Sequence, residues 1–276
     1  MLLHTAQSTH QGPRHNNQDS ARVDAGLGYA VIADGMGGAA GGAEASRMAI
    51  DLTDWLLRRD LPEARRVGSL PLMLVRVFED VNRWILQKAQ ATPELRGMGT
   101  TLVLVVFDDE HYHVAHAGDS RAYRIRGGEL AQITKDHSLV QARVDAGLIR
   151  PEDAASQPDR NVITRAVGVD PSVTPDVGDG ELRHGDTFVL TTDGVHGVVP
   201  ARQILEVASQ LPPQEAADSL VQSALRLGTT DNSTAVVVRT EERRSHPRPA
   251  DPPADSPVPS TPPPLSFLQR LLNFGR

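Results

Sequence analysis

The sequence predicts an α+β fold in which antiparallel sheets are covered by helices. Two observations carry this. Apolar strand-like runs follow one another directly and helix-like stretches come in pairs, whereas a parallel sheet would need strands and helices in strict alternation. The composition is that of an ordinary globular chain: of 276 residues, 39% are apolar, and 23 glycines come on top. A body of roughly 240 residues can hide about 70–75% of its unfolded surface.

The elements follow in order. Tyr29-Ala30-Val31-Ile32-Ala33 reads as a short apolar strand. Met48, Leu52, Trp55 and Leu56 fall on one stripe and predict a helix over 43–57. Val77, Phe78, Val81 and Ile85 predict a second over 74–86, and both tryptophans, Trp55 and Trp84, read as core. Residues 101–107 form an apolar strand with Asp108, Asp109 and Glu110 at its turn. Strands over 112–117 and 121–125 come next, and Gly127-Gly128 marks a hairpin. A strand over 186–192 precedes helices over 204–208 and 214–227, and the valine-rich run 233–239 closes the body as a strand.

The clearest boundary lies near Thr240, which sets off 1–240 as the body. Residues 241–264 carry Arg243, Arg244 and then a proline-dense stretch, so they are expected to be a disordered linker without a core of its own. Residues 265–276 turn apolar again as a short amphipathic segment, with Leu268, Leu271 and Leu272 at helical spacing and Phe267 and Phe274 nearby. Such a segment suits partner docking or weak membrane contact.

Several function classes are excluded or disfavoured. The net charge of −7 argues against a nucleic-acid partner. With no cysteine there is no disulfide, thiolate metal site or cysteine nucleophile. The first residues have no basic and apolar leader pattern, and no run reaches the ~20 apolar residues of a membrane span, so the cytoplasm is the expected location. Of the ten histidines, His111, His113 and His116 fall on or near one strand. They lack a closing set of zinc ligands and read as solvated or hydrogen-bonded side chains.

The chemistry concentrates in carboxylates. Asp34, Asp119, Asp193 and Asp231 each lie at the end, or just before the start, of a hydrophobic strand. Taken singly, Asp34 and Asp193 are ordinary Asp-Gly turns, Asp119 bonds its own turn, and Asp231 caps a strand. Their recurrence is more than turns require. Clustered carboxylates repel, so a cation would sit between them, and an all-oxygen set selects Mg²⁺, Mn²⁺ or Ca²⁺. Gly35, Gly37, Gly38, Gly41 and Gly42 follow Asp34, which leaves room for a backbone carbonyl to reach a metal; no Gly-Lys-Ser/Thr phosphate loop is present. Arg14 adds a guanidinium able to grip two phosphate oxygens, and Asp19 a further carboxylate.

Several motifs occur in a fixed order: Arg14 to Asp19, Asp34-Gly35-Met36-Gly37-Gly38, Gly99-Thr100-Thr101, Ala117-Gly118-Asp119-Ser120-Arg121, Asp136-His137-Ser138, Thr191-Thr192-Asp193-Gly194 and Asp231-Asn232. In this ordered set the chain resembles the metal-dependent Ser/Thr protein phosphatases (PPM, type 2C), bacterial branch, over roughly residues 1–240. The resemblance implies a central β-sandwich of two antiparallel sheets flanked by helices, in four layers α-β-β-α, with 1–240 as catalytic domain. It implies two Mn²⁺ or Mg²⁺ ions, with a weaker third. Asp34 would bridge the pair, the Gly35 carbonyl would bind one ion, and Asp193 and Asp231 the other. Asp19 would hold metal-bound water, Asp119 with Asp193 would serve the third ion, and Arg14 would bind the substrate phosphate. The stretch from about His137 to Arg165 would form a flap beside the site.

The implied reaction is hydrolysis of phosphoserine and phosphothreonine in proteins by a water activated between the metals. The implied partners are phosphorylated proteins, including a Ser/Thr kinase or its substrates, and the chain is expected to be a monomer. Two positions depart from the family pattern. Gln18 stands where many members have glutamate, and Met36 where animal members carry a histidine proposed as general acid; Met36 has no proton to donate. A small-molecule phosphohydrolase and a non-catalytic phosphoprotein-binding module are the rival readings.

Overall fold

In the computed structural model, which describes residues 1–242, the strands come first and in runs. β1 (Leu2–His10), β2 (Asp19–Asp24) and β3 (Tyr29–Met36) lead into the long helix α1 (Gly38–Val67) and its neighbour α2 (Leu70–Ala91). Then follow β4 (Gly99–Thr100), β5 (Leu102–Phe107), β6 (His111–Ala117), β7 (Arg121–Arg126) and β8 (Glu129–Gln132). After α3 (Leu139–Asp145) come β9 (Asp176–Glu181), β10 (Thr187–Thr191), α4 (Asp193–His196), α5 (Ala201–Gln210), α6 (Pro213–Arg226) and β11 (Ser233–Glu241). Met1–Glu241 form one compact unit. The sequence expectations for 243–276, the proline-dense linker and the amphipathic segment, lie outside the described residues.

Two antiparallel sheets stack face to face. One has the order β1-β11-β10-β7-β8, and the other β2-β3-β5-β6-β9 with β4 paired to β3. Alternation along the strands builds two cores. Val236 and Val238 of β11 face inward with Leu190, Phe188, Ile32, Val103 and Val105, filling the space between the sheets. Phe188 is gripped there by Phe107 and Tyr112, each 5.0 Å away in edge-on packing. Ala235 and Val237, on the opposite face of β11, pack with Leu220, Val221 and Ala224 of α6. Helices α1 and α2 cover the other sheet. The α-β-β-α layering implied by the resemblance is the architecture observed.

The elements differ from expectation at their edges. Helix α1 runs thirty residues and includes Gly38, Gly41, Gly42 and Pro62. Burial of Leu61 and Ala64 holds its last turns, and Arg65 Nη2 ties its end to the carbonyls of Leu27 and Phe107 at 2.8 and 2.6 Å. Tertiary contacts thus override the helix-breaking signal of Pro62. β1, β2 and β9 were not legible as strands because they are polar edge or near-edge strands with no apolar alternation. Trp55 and Trp84 are half-buried rather than core, and Arg59 lies 4.8 Å over the Trp55 ring.

Candidate metal centre

Carboxylates from both sheets meet at one end of the sandwich. Asp19 opens β2 and is the register partner of Asp34 on β3. The Asp34 backbone is clamped: its N–H donates to Thr101 Oγ1 at 2.9 Å, and its carbonyl accepts from Thr100 Oγ1 and the Thr101 N–H, both at 2.8 Å. Thr101 Oγ1 also meets Ser120 Oγ at 2.8 Å, beside Asp119 in the β6–β7 turn. The other sheet supplies Asp193, just past β10, and Asp231, just before β11.

Missing side chains let these segments close. A Cβ on Gly194 would lie 1.8 Å from the Asn232 carbonyl oxygen, so the Asp193 and Asp231 corners touch only because residue 194 is glycine. Likewise a Cβ on Gly42 would stand 2.7 Å from the Gly35 carbonyl oxygen, which keeps that carbonyl unobstructed beside α1. Gln18 Nε2 donates to the Gly38 carbonyl at 2.8 Å, a bond that a glutamate could not make while ionised.

The electrostatics are those of crowded like charges. Burial, then Asp19, Asp193, Asp119 and Asp231, hold the Asp34 carboxyl well above the usual carboxylate range. Burial pushes Asp19 up to about 7 despite hydrogen bonds from Thr234 and Thr192. Burial and the charge of Asp193 push Asp119 up to about 7. Asp193 is raised by burial and by Asp231, and shares a hydrogen bond with Asp34. Among the described residues Arg14 is the cation that pairs here: Nη2 to Asp231 Oδ2 at 2.6 Å, and Nε to the Thr230 carbonyl at 3.0 Å.

A cavity of about 450 Å³ opens onto this cluster, lined by Arg14, Asp34, Gly35, Met36, Asp193 and Asp231 among others. Asp19 and Asp119 are not on its wall and are buried behind it, each 7% exposed. Asp19 Oδ1 and Asp193 Oδ1 are buried acceptors without a hydrogen-bond partner. A buried carboxylate oxygen left unpaired is costly. An oxygen-only set with orphaned, mutually repelling carboxylates fits hard divalent cations.

The segment implied as a flap closes on itself at the cavity mouth. Leu139 N–H donates to the Val162 carbonyl at 2.9 Å and Thr164 N–H to that of His137 at 2.8 Å. Asn161 and Ile163 reach the cavity wall. His137 fastens this segment to the turn before Asp119: its N–H donates to the Gly118 carbonyl at 2.9 Å, and its Nδ1 accepts from the Gly118 N–H at 3.2 Å. His116, His137 and Asp176 converge with their ligand atoms within 4.8 Å. This closing set for His116 was invisible in sequence because its partners lie 21 and 60 residues further on. Arg165 already supplies the cation: it pairs with Asp176 and sits 2.9 Å from His137 Nε2. The two imidazoles stack at 4.7 Å with 7° between planes, which aims their nitrogens side by side rather than at one point. The group reads as a fastening of the flap base.

One residue of the ordered motifs gains its role only in the structure. Asn232 is a buried hub: Nδ2 donates to the carbonyls of Gln11 and Asn16 at 2.7 and 2.9 Å, and Oδ1 accepts the Gln18 N–H at 2.8 Å. It pins the segment bearing Arg14 and Asp19 against Asp231. Its adjacency to Asp231 was the one available signal.

Comparison with known proteins agrees with this architecture. The family model described as protein phosphatase 2C matches residues 6–237. Serine/threonine protein phosphatase PstP of Mycobacterium tuberculosis is 40% identical over 238 residues, 86% of this chain and 45% of PstP. The chain thus spans about half the length of that relative. Protein phosphatase PhpP of Streptococcus pneumoniae is 36% identical over 233 residues, 83% of this chain and 94% of PhpP. The crystal structure of the PstP catalytic domain in complex with two manganese ions superposes with a TM-score of 0.79 at 37% identity, covering 87% of this chain and 99% of that one. With a matching model across most of its length and the ordered motifs converging on one carboxylate cluster, the chain belongs to the protein phosphatase 2C family.

Proposed function

We propose that this chain hydrolyses phosphoserine and phosphothreonine esters in proteins with the help of divalent cations held at the carboxylate cluster. The observation that carries the reading is a cluster of five mutually repelling carboxylates, three of them on the wall of one cavity, with buried oxygens of Asp19 and Asp193 left unpartnered. Asp34, the Gly35 carbonyl, Asp193 and Asp231 would hold two Mn²⁺ or Mg²⁺ ions; Asp19 would orient water in their shell, and Asp119 with Asp193 would hold a weaker third. Bound cations supply Lewis-acid charge that acidifies water and offsets negative charge on the phosphoryl oxygens.

The chain's own groups do the rest. Arg14 uses two of its five N–H donors on Thr230 and Asp231 and keeps three for the oxygens of a substrate phosphate. Met36 lines the cavity and cannot protonate the leaving oxygen. Asn161 and Ile163 form the outer wall that a phosphoprotein would meet. The partners are phosphoproteins, a Ser/Thr kinase or its substrates among them, in the cytoplasm, with the chain acting as a monomer. No helix among the described residues is long and apolar enough to cross a membrane.

Phosphate release from a phosphothreonine peptide tests this. Turnover with Mn²⁺ is expected to vanish with excess chelator and to fall by about 100-fold or more in Asp193→Ala, since loss even of outer contacts to a metal costs about 10–100-fold. A folded, Mn²⁺-loaded protein without turnover overturns the reading and favours a binding module or a hydrolase of small phosphoesters.

A further inference from the structure

Asp19 sits at the end of a chain of hydrogen bonds whose direction is fixed at every link. The Asn17 amide is oriented by the backbone, because its Oδ1 accepts the Asp19 N–H at 3.1 Å. Its Nδ2 therefore points the other way and donates to Thr9 Oγ1 at 2.8 Å. Thr234 has one hydroxyl hydrogen, and that hydrogen goes to Asp19 Oδ2 at 2.7 Å. The 2.8 Å contact between Thr9 and Thr234 must then have Thr9 as donor. Thr192 Oγ1 accepts the Thr234 N–H at 3.1 Å and donates its own hydrogen to the same Asp19 oxygen at 2.8 Å.

The result is a single polarity running from Asn17 through Thr9 and Thr234 to Asp19 Oδ2, with Thr192 joining at the end. Oδ2 receives two hydroxyl donors, while Oδ1 is buried and receives none. The donors also cross the sandwich. Thr9 and Thr234 are register partners on β1 and β11, and Thr192 follows β10, whereas Asp19 begins β2 of the facing sheet. A carboxylate gripped through one oxygen from the opposite sheet has a fixed rotamer. Its other oxygen is the acceptor offered to the cluster of Asp34, Asp193 and Asp231.

We propose that Thr234 and Thr192, backed by Thr9 and Asn17, are positioning residues that hold Asp19 by Oδ2 so that Oδ1 alone faces the cation site. The proposal rests on the reading that Asp19 serves bound cations. The hydroxyls touch neither cation nor substrate, so their effect passes through Asp19. Outer partners that orient a metal-facing group set affinity by about 10–100-fold. Thr234 is the cleaner target, because Thr9 is exposed and can turn its freed hydroxyl to water, whereas losing the Thr192 hydroxyl also strands the Thr234 N–H.

The test is Mn²⁺ titration of the full chain, followed by the electron spin resonance of free Mn²⁺ and without substrate. Thr234→Val is expected to weaken binding about 10–100-fold and Thr234→Ser, which restores the hydroxyl, to stay near the parent. A single cooperative melt in chelator verifies that each variant folds; should Thr234→Val fail it, Thr192→Val is read in its place with Thr192→Ser as its control. Asp19→Asn is expected to weaken binding at least as much as Thr234→Val. Parent-like Mn²⁺ affinity in a folded Thr234→Val, with or without loss in Asp19→Asn, overturns the proposal. The readout is independent of turnover. A chain that shows these losses yet releases no phosphate keeps this proposal and loses the phosphatase reading.

Discussion

Asp34, Asp119 and Asp19 have carboxyls raised by burial and by one another, and that has a consequence for stability. A raised folded pKa means that the native state binds more protons than the unfolded chain. The stability so gained is fully present below the unfolded value of 3.8 and is lost as pH rises through about 7. Buried His116 and His137 have lowered values and oppose the trend, but only below 6.5, where the unfolded chain takes up their protons. In chelator the melting temperature is therefore expected to fall from about pH 6.5 to pH 8, and saturating Mn²⁺ to remove that fall. A metal-free melting temperature that climbs over the same range would contradict the crowding. At this scale the site was half legible. Asp34, Asp193 and Asp231 stand next to glycine or asparagine at strand ends, and that pattern is written in the chain. Thr101, Thr192 and Asn232 stand in the ordered motifs without a role, and Thr234 outside them, until the two sheets bring them to a carboxylate.

Elements were legible in proportion to how apolar they are. β5 and β11, buried on both faces, appear as continuous apolar runs, and α2 as a clean stripe. β1 and β2 do not, because an edge strand needs little apolar surface and its pairing is dictated by its neighbour. The flap base is the informative case. Backbone bonds pair its two arms near His137 and Thr164, and the clasp of His116, Asp176 and Arg165 beneath it had no signature. His137→Ala removes the acceptor for the Gly118 N–H and a partner of Asp176. Amide exchange across 139–163 is expected to quicken about tenfold, the loss of roughly one net hydrogen bond, while the strands keep their protection. Unchanged exchange would mean that backbone bonds alone hold the flap.

Across the whole molecule the candidate ligands divide between the sheets: Asp19 and Asp34 from one, Asp193 and Asp231 from the other, with Asp119 in the turn that passes between them. A cation there joins the two layers at one end. At a hundred times its dissociation constant it would add about 2.7 kcal/mol, or about 5–10 °C in melting temperature for a domain of this size. A calorimetric scan with Mn²⁺ and then with chelator checks this; no shift would mean no tight site. Removing residues 245–276 is expected to leave turnover on a small phosphoester unchanged. The strand order of the first sheet carries one more consequence. β11 lies between β1 and β10, although it is the last strand of the described residues. During synthesis β1 must wait with a bare edge while more than two hundred residues emerge, β10 waits only for the helices α4 to α6, and Asp231 arrives with the same late segment. A chain cut short anywhere before that point lacks both the strand that joins β1 to β10 and a carboxylate of the cluster, so an interrupted message yields a product without the assembled site.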